Sequence, residues 1–297
     1  MSGQGTVLVR RSSLGDVVLL GAITASVPRP VTVVTDPPYV ALAARLRGVD
    51  RAVAFGDHAD AITAGATVID LQASMATRRA FPGARRLRKR SVARRAWLWW
   101  GVGRGRPPVP MLYAEAAGTD AWRPPWFDQP SATRDTLLLI PGAAHGPKQP
   151  PLSLLEAAGR AWAGPVQVLG GPDEGGLVDA LVGRIPGSSG LVEHGFDQTL
   201  RAMARGAAAV CGDSGLMHLA GACGCPVVAL FGPTHPADGF GVHDGAVVQR
   251  DGLSCRPCAL HRVARCRMGD HRCMDLPEEQ LLTALRRVTG VPCAGPS

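Results

Sequence analysis

Residues 207–236 read AAAVCGDSGLMHLAGACGCPVVALFGPTHP. An apolar run from Ala208 to Cys211 breaks at Gly212-Asp213-Ser214-Gly215 and resumes as a helix-like segment from Leu216 to Cys223. Gly224 stops that segment, Pro226 to Phe231 reads as a second buried strand, and Gly232-Pro233-Thr234-His235-Pro236 reads as a loop. Strand, tight turn, helix and strand make one βαβ unit. The turn carries chemistry. Asp213 and Ser214 are N-cap residue types, and Gly215 lets another molecule approach the backbone. A helix start offers unpaired N–H groups and about half a positive charge, which attract phosphate. A carboxylate repels phosphate, so Asp213 is better suited to accept hydrogen bonds from neutral hydroxyls such as those of a sugar. Phosphate and sugar at one turn point to a nucleotide sugar, although an ordinary helix cap satisfies the same spacing.

Outward from this unit the same alternation covers the chain. Strands are expected at 6–10, 31–35, 52–55 and 67–71, with helices near 17–27, 39–46 and 58–63. After a proline- and aromatic-rich stretch, WRPPWFDQP at 122–130, strands are expected at 136–140, 166–169 and near 191–193. Helices are expected there at 152–162, 175–184 and 198–205, and a last one at 277–288 carries Leu281, Leu282 and Leu285 on one face. Short strands alternating with helices predict an α/β fold with parallel sheets covered on both faces. The proline-rich stretch is the expected linker, giving domains at 1–125 and 126–297. Ligands of such sheets bind beyond the carboxyl ends of strands. The turns at 12–16, 141–148, 170–174 and 212–215 all have that placement.

With 297 residues, 46% hydrophobic and 19% charged, the chain has the composition of a soluble globular protein. No apolar run is long enough to span a bilayer, and the first residues lack the layout of a signal peptide. The expectation is a cytoplasmic protein, with peripheral contact at the inner membrane face left open. Net charge is +8, and of 32 basic residues only Lys89 and Lys148 are lysine. A compact ammonium retained among so many guanidinium groups marks Lys148 for notice. No acidic residue falls between Leu71 and Ala114, where Arg78, Arg79, Arg85, Arg86, Arg88, Lys89, Arg90, Arg94, Arg95, Arg104 and Arg106 interleave with Trp97, Trp99 and Trp100. This stretch reads either as a solvated face or as a surface for an anionic partner such as a phosphorylated glycolipid or membrane headgroups. The glycine run Gly101-Val102-Gly103-Arg104-Gly105 lacks the strand and helix that a dinucleotide loop needs.

Three motifs in order, VLVRRSSLGDVV at 7–18, LLLIPGAAHGPK at 137–148 and CGDSGLMHLAGACGCPVVALFGPTHP at 211–236, resemble glycosyltransferase family 9, the ADP-heptose:lipopolysaccharide heptosyltransferases. The resemblance implies a GT-B fold, two Rossmann-like domains with parallel sheets facing across a cleft. The first takes the acceptor and the second the nucleotide sugar. It implies inverting transfer without a catalytic metal or cofactor, in lipopolysaccharide biosynthesis. Asp16 falls at the family's proposed general base. Lys148 matches the lysine beside the donor phosphates, and Asp213, Ser214, Gly215 and His218 match the donor motif, with Thr234 in its closing loop. Glu174 stands where an acidic nucleoside contact is expected. Ser13, Arg11, Arg78 and Arg79 are the acceptor-side candidates. The expected partners are an ADP-heptose-type donor and an anionic glycolipid or other hydroxyl acceptor. Ala143-Ala144 and Gln149-Pro150-Pro151 depart from the family pattern and bear on the identity of the donor.

Cys255-x2-Cys258-x7-Cys266-x6-Cys273 offers four thiolates in one loop, with His261 and His271 nearby. Its first pair has metal-knuckle spacing and its second does not. Four reduced thiols, or a structural Zn or Fe site, both fit. Two other functions share these residues: a GT-B-like nucleotide-sugar epimerase or hydrolase, and a basic nucleic-acid-binding protein. The cysteines lack a finger or ribbon pattern, so no nucleic acid is expected as a partner.

Overall fold

The computed structural model describes residues 5–62, 65–89, 96–97, 106–128, 133–192, 195–258 and 263–290. Arg90, Arg94, Arg95, Trp99, Trp100, Arg104, the 101–105 glycine run, Glu193 and His261 lie outside the described residues. The chain divides into two compact units, Met1–Ala93 with Arg106–Asp128, and Arg94–Gly105 with Gln129–Ser297.

The first unit holds a sheet of β1 (Thr6–Val9), β2 (Val31–Thr35), β3 (Arg51–Ala54), β4 (Thr67–Asp70) and β5 (Arg85–Arg86), in the order β3-β2-β1-β4-β5. All its registered pairs are parallel. β1 to β3 build outward on one side and β4 returns to the other side of β1. The strand order therefore reverses between β1 and β4, the place where ligands of open α/β sheets bind beyond the carboxyl ends of the strands. Register aligns those ends: Val9 pairs with both Val34 and Asp70. Leu71 N and Gln72 N both donate to Val9 O, at 2.9 and 3.1 Å, so the loops after β1 and β4 leave the sheet side by side.

The long helix expected at 17–27 starts earlier and breaks up. An α-helix spans Leu14–Val18, followed by 3-10 turns at Leu19–Ala22 and Thr24–Ser26. Gly21 sits in the break; a Cβ there would meet Leu46 Cδ2 at 3.0 Å and Pro125 Cβ at 3.1 Å. Thr24 Oγ1 also bonds Gly21 O at 3.1 Å and Arg47 O at 2.7 Å, a local alternative to the helical ladder. The helix Val109–Ala117 was not expected in its proline-rich surroundings. Pro110 falls in its first turn, where no N–H partner is lost, and Gly118 closes it at φ 76°.

The second unit holds β6 (Thr136–Ile140), β7 (Val166–Gly170), β8 (Ser189–Val192), β9 (Gly206–Gly212), β10 (Val227–Phe231) and β11 (Gly245–Gln249), in the order β11-β10-β9-β6-β7-β8. This sheet is parallel throughout its registered pairs. Its order reverses between β6 and β9, whose ends are aligned by the pairing of Ile140 with Cys211. β6, β9 and β10 are almost wholly buried, as strands covered on both faces must be. The helix Glu278–Thr289 seals one face, burying Leu281, Leu282 and Leu285 in the core with Leu137, Val210 and Leu230. Each such leucine contributes roughly 1.5–3 kcal/mol. The βαβ unit of 207–236 is present as β9, the helix Gly215–Ala222 and β10. No described helix is long and apolar enough to cross a membrane.

Candidate functional site

In each unit some of the sequence-selected residues, Asp16 and Ser13 in the first and Lys148, Asp213, Ser214 and Gly215 in the second, lie beside the point where strand order reverses. In the second unit, β6 runs into a loop ending in the 3-10 turn Gly146–Lys148, which crosses directly over the end of β9. Gly212 permits this crossing: a Cβ there would lie 2.3 Å from Lys148 O and 3.2 Å from Pro150 Cδ. The crossing brings the buried Lys148 ammonium 2.6 Å from Asp213 Oδ2. Thr234 Oγ1, from the loop after β10, donates to the same oxygen at 2.8 Å. One carboxylate thus ties together loops from three adjacent strands.

Ser214 caps the helix Gly215–Ala222 with extended backbone, but its hydroxyl makes no cap bond. Its Oγ is buried and has no hydrogen-bond partner among the described residues. A helix start without a side-chain cap bond, a buried hydroxyl without a partner among the described residues and a buried lysine paired with Asp213 are groups able to meet an anion. His218 is buried one turn further along, its ring 6.0 Å from those of Phe240 and His243. Glu174 follows β7, and its Oε2 accepts from Gly171 N at 2.8 Å. Its carboxylate fills the space above Gly142, where a Cβ would come within 2.0 Å of it. Glu174 therefore belongs to the β6 side of the same crevice.

In the first unit Ser13 caps the helix Leu14–Val18, and Asp16, at that helix's third position, reaches back to it. Asp16 Oδ2 accepts from Ser13 N at 3.3 Å and Ser13 Oγ at 3.1 Å, and pairs with Arg10 Nη2 at 2.6 Å. Tyr113 OH lies 3.3 Å from Asp16 Oδ1. Arg10 is anchored across the crevice by Leu71 O at 2.7 Å. Burial opposes the Arg10 charge, but Tyr113, Asp16 and Asp70 outweigh it and raise its pKa. Asp70, fully buried at the end of β4, accepts from Ala73 N at 2.7 Å and Thr77 Oγ1 at 2.9 Å and so shapes the facing loop.

The acceptor-side candidates divide. Ser13 belongs to the Asp16 cluster. Arg11 is engaged elsewhere in the unit, bonding Asp36 at 2.7 Å and lying 4.3 Å above the Phe55 ring. Arg78 and Arg79 are exposed in the last turn of the helix Met75–Ala80. Arg78 lies near Lys89, whose pKa is lowered by burial first and then by Arg10, with Arg78 adding and Asp70 and Asp16 opposing. The residues that sequence reasoning missed are Arg10, Tyr113 and Arg256. Arg10 stood inside the quoted motif, and Tyr113 is one of only two tyrosines in the chain.

Arg256, between Cys255 and Cys258, ties the cysteine-rich loop to the Thr234 loop. Its guanidinium donates to Gly232 O at 2.6 Å, Thr234 O at 3.1 Å and Gln249 Oε1 at 2.8 Å. Cys258 N adds a bond to Pro233 O at 3.0 Å. Cys255, Cys258, Cys266 and Cys273 line one small cavity. Backbone N–H groups, that of His271 first and those of Met268, Gly269 and Asp270 with it, hold the half-buried Cys266 thiol below its usual range. Burial raises Cys258 and Cys273. The donor set suits a soft metal, yet among the described residues no three His, Cys, Asp or Glu side chains are arranged to hold one. The sulfurs thus share a cavity without standing in coordinating positions. Cys223 and Cys225 are core thiols, pushed up by burial to about 12. Trp97, of the basic stretch, packs edge-on against His235 with ring centroids 5.9 Å apart.

Residues 191–268 match the family model described as glycosyltransferase family 9 (heptosyltransferase). No curated protein matches the chain. Among solved structures, the E. coli ADP-heptose LPS heptosyltransferase II superposes with a TM-score of 0.71 at 19% identity, covering 96% of this chain and 98% of that one. A family 9 glycosyltransferase from Veillonella parvula gives 0.74 at 16% identity, covering 96% and 97%. The dodecameric iron-containing heptosyltransferase TibC, in complex with ADP-D-β-D-heptose, gives 0.62 at 12% identity, covering 96% of this chain and 76% of that one; TibC comes from enterotoxigenic E. coli. The chain is therefore similar to these GT-B glycosyltransferases in fold along nearly its whole length, and to family 9 in sequence over 191–268. The resemblance read from the three motifs and the α/β architecture are both borne out.

Proposed function

We propose that the chain is a family 9 glycosyltransferase that moves a heptose or related sugar from an ADP-sugar to a hydroxyl of a glycolipid, lipopolysaccharide-type or other acceptor, with inversion and without a catalytic metal. The observation that carries this reading is the turn at the β6/β9 reversal, where the buried Lys148 pairs with Asp213 next to Ser214 and the start of the helix Gly215–Ala222. The family match over the segment containing it supports the assignment, and ADP-D-β-D-heptose bound to a neighbour of the same fold supports the donor class.

The second unit binds the donor. The diphosphate sits at the helix start, where Lys148 and the backbone N–H groups near Gly215 meet its charge. Asp213 offers its carboxylate to Lys148 and Thr234 and to the sugar hydroxyls. His218 lines the sugar side, and Glu174 faces the nucleoside. The first unit takes the acceptor through Ser13, Arg11, Arg78 and Arg79. In the transfer, the acceptor oxygen attacks the anomeric carbon as its proton passes to Asp16. The bond from that carbon to the diphosphate oxygen breaks, and its electron pair leaves with the diphosphate. The fixed donors stabilise that departing charge without reorganising. General-base assistance by Asp16 is worth about 10²–10⁴-fold.

The test is sugar transfer from ADP-heptose to a hydroxyl acceptor, followed with wild-type protein and Asp16→Asn. Turnover by the wild type and loss of about 10²-fold or more in the variant are expected; donor consumption without transfer by the wild type contradicts the reading.

A further inference from the structure

Asp16 is gripped from both of its carboxylate oxygens by elements far apart in sequence. Arg10 and Ser13 hold Oδ2 from the end of β1. Tyr113, fully buried in the helix Val109–Ala117, reaches Oδ1 at 3.3 Å and the Asp16 backbone oxygen at 3.4 Å. We propose that Arg10 and Tyr113 form a clamp that orients Asp16 for proton transfer, with the Tyr113 hydroxyl as a donor that serves both protonation states of the carboxyl group. This rests on the reading of Asp16 as the base, and both residues are positioning residues.

The physical case starts from burial. A buried hydroxyl that loses its acceptor costs about as much as a lost hydrogen bond. While Asp16 is charged, Tyr113 donates to Oδ1. When Asp16 has taken the acceptor's proton, a small rotation of the phenolic O–H redirects it to the Asp16 carbonyl oxygen. Neither state orphans the donor, and Arg10 stays on Oδ2 throughout, anchored by Leu71 O. The base can thus change charge without moving. Tyr113 itself stays a donor: burial pushes its phenol well above the ordinary value, Asp16 adding to this and Arg10 and Arg106 opposing it. The other charged groups around the clamp are Lys89, which interacts with both Asp16 and Arg10, and Asp70, which interacts with Arg10.

The experiment is a carboxyl-carbon NMR titration of Asp16 in wild-type protein, Tyr113→Phe and Arg10→Lys, beside the pH dependence of kcat. Loss of a donor to the charged form raises the carboxyl's pKa. In Tyr113→Phe, Asp16 is expected to titrate about half to one pH unit higher, with the acidic limb of kcat moving up by the same amount. A fall in kcat of about three- to tenfold at unchanged donor KM accompanies it. Arg10→Lys shifts the titration in the same direction, and it decides the matter if the tyrosine variant does not fold. An Asp16 titration that stays put in the folded variants overturns the clamp. Transfer that survives Asp16→Asn would instead remove the base assignment, while a shifted titration in Tyr113→Phe would still stand.

Discussion

Asp213 changes meaning most between sequence and fold. Its charge beside a phosphate-binding turn suggested an acceptor for sugar hydroxyls. In the fold, its Oδ2 also takes the Lys148 ammonium at 2.6 Å and the Thr234 hydroxyl at 2.8 Å. The carboxylate holds the lysine in place before any ligand arrives, the preorganisation that electrostatic stabilisation needs. Removing the lysine therefore acts twice, deleting a cation and leaving a carboxylate unpaired beside the anion site. Lys148→Ala is expected to weaken ADP binding about 10- to 100-fold, read by calorimetry; unchanged affinity would take Lys148 out of the donor site. The rarity of lysine in this chain singled out Lys148, but its partner stands 65 residues away. Only the adjacency of β6 and β9 joins them, and no local pattern encodes that adjacency. Tyr113 was hidden for the same reason, 97 residues from Asp16.

At the scale of elements, buried strands were the most legible. β2 and β6 fall where the sequence puts them, because buried parallel strands read as near-continuous apolar and β-branched runs. Elements set by tertiary contact were not legible. The helix at 17–27 gave way to 3-10 turns where Gly21 meets Leu46 and Pro125. The helix Val109–Ala117 had its signals, proline at the start and glycine at the end, but no element was expected there. In the cysteine-rich loop the sequence drew notice to the thiols, whereas Arg256 between them fastens the loop to the Gly232–Thr234 turn. Arg256→Ala is accordingly expected to lower donor affinity about 3- to 10-fold through misplacement of Thr234, with little change in kcat. Equal donor affinity in titrations of variant and wild type would show that the brace has no bearing on the site.

Over the whole molecule, each unit carries one parallel sheet, one reversal of strand order and one cluster of polar side chains at that reversal. The clusters differ in chemistry. The first centres on a carboxylate clamped by Arg10, Ser13 and Tyr113; the second centres on a lysine, an unpartnered hydroxyl and a helix start. Under the proposed function, proton removal belongs to the first unit and donor binding to the second. The measurement that tests this division most directly is ADP binding to Asp16→Asn, set beside the transfer rate of the same protein. The account predicts wild-type affinity with transfer reduced by about 10²-fold or more. Affinity lost in step with transfer, or transfer retained, would contradict it.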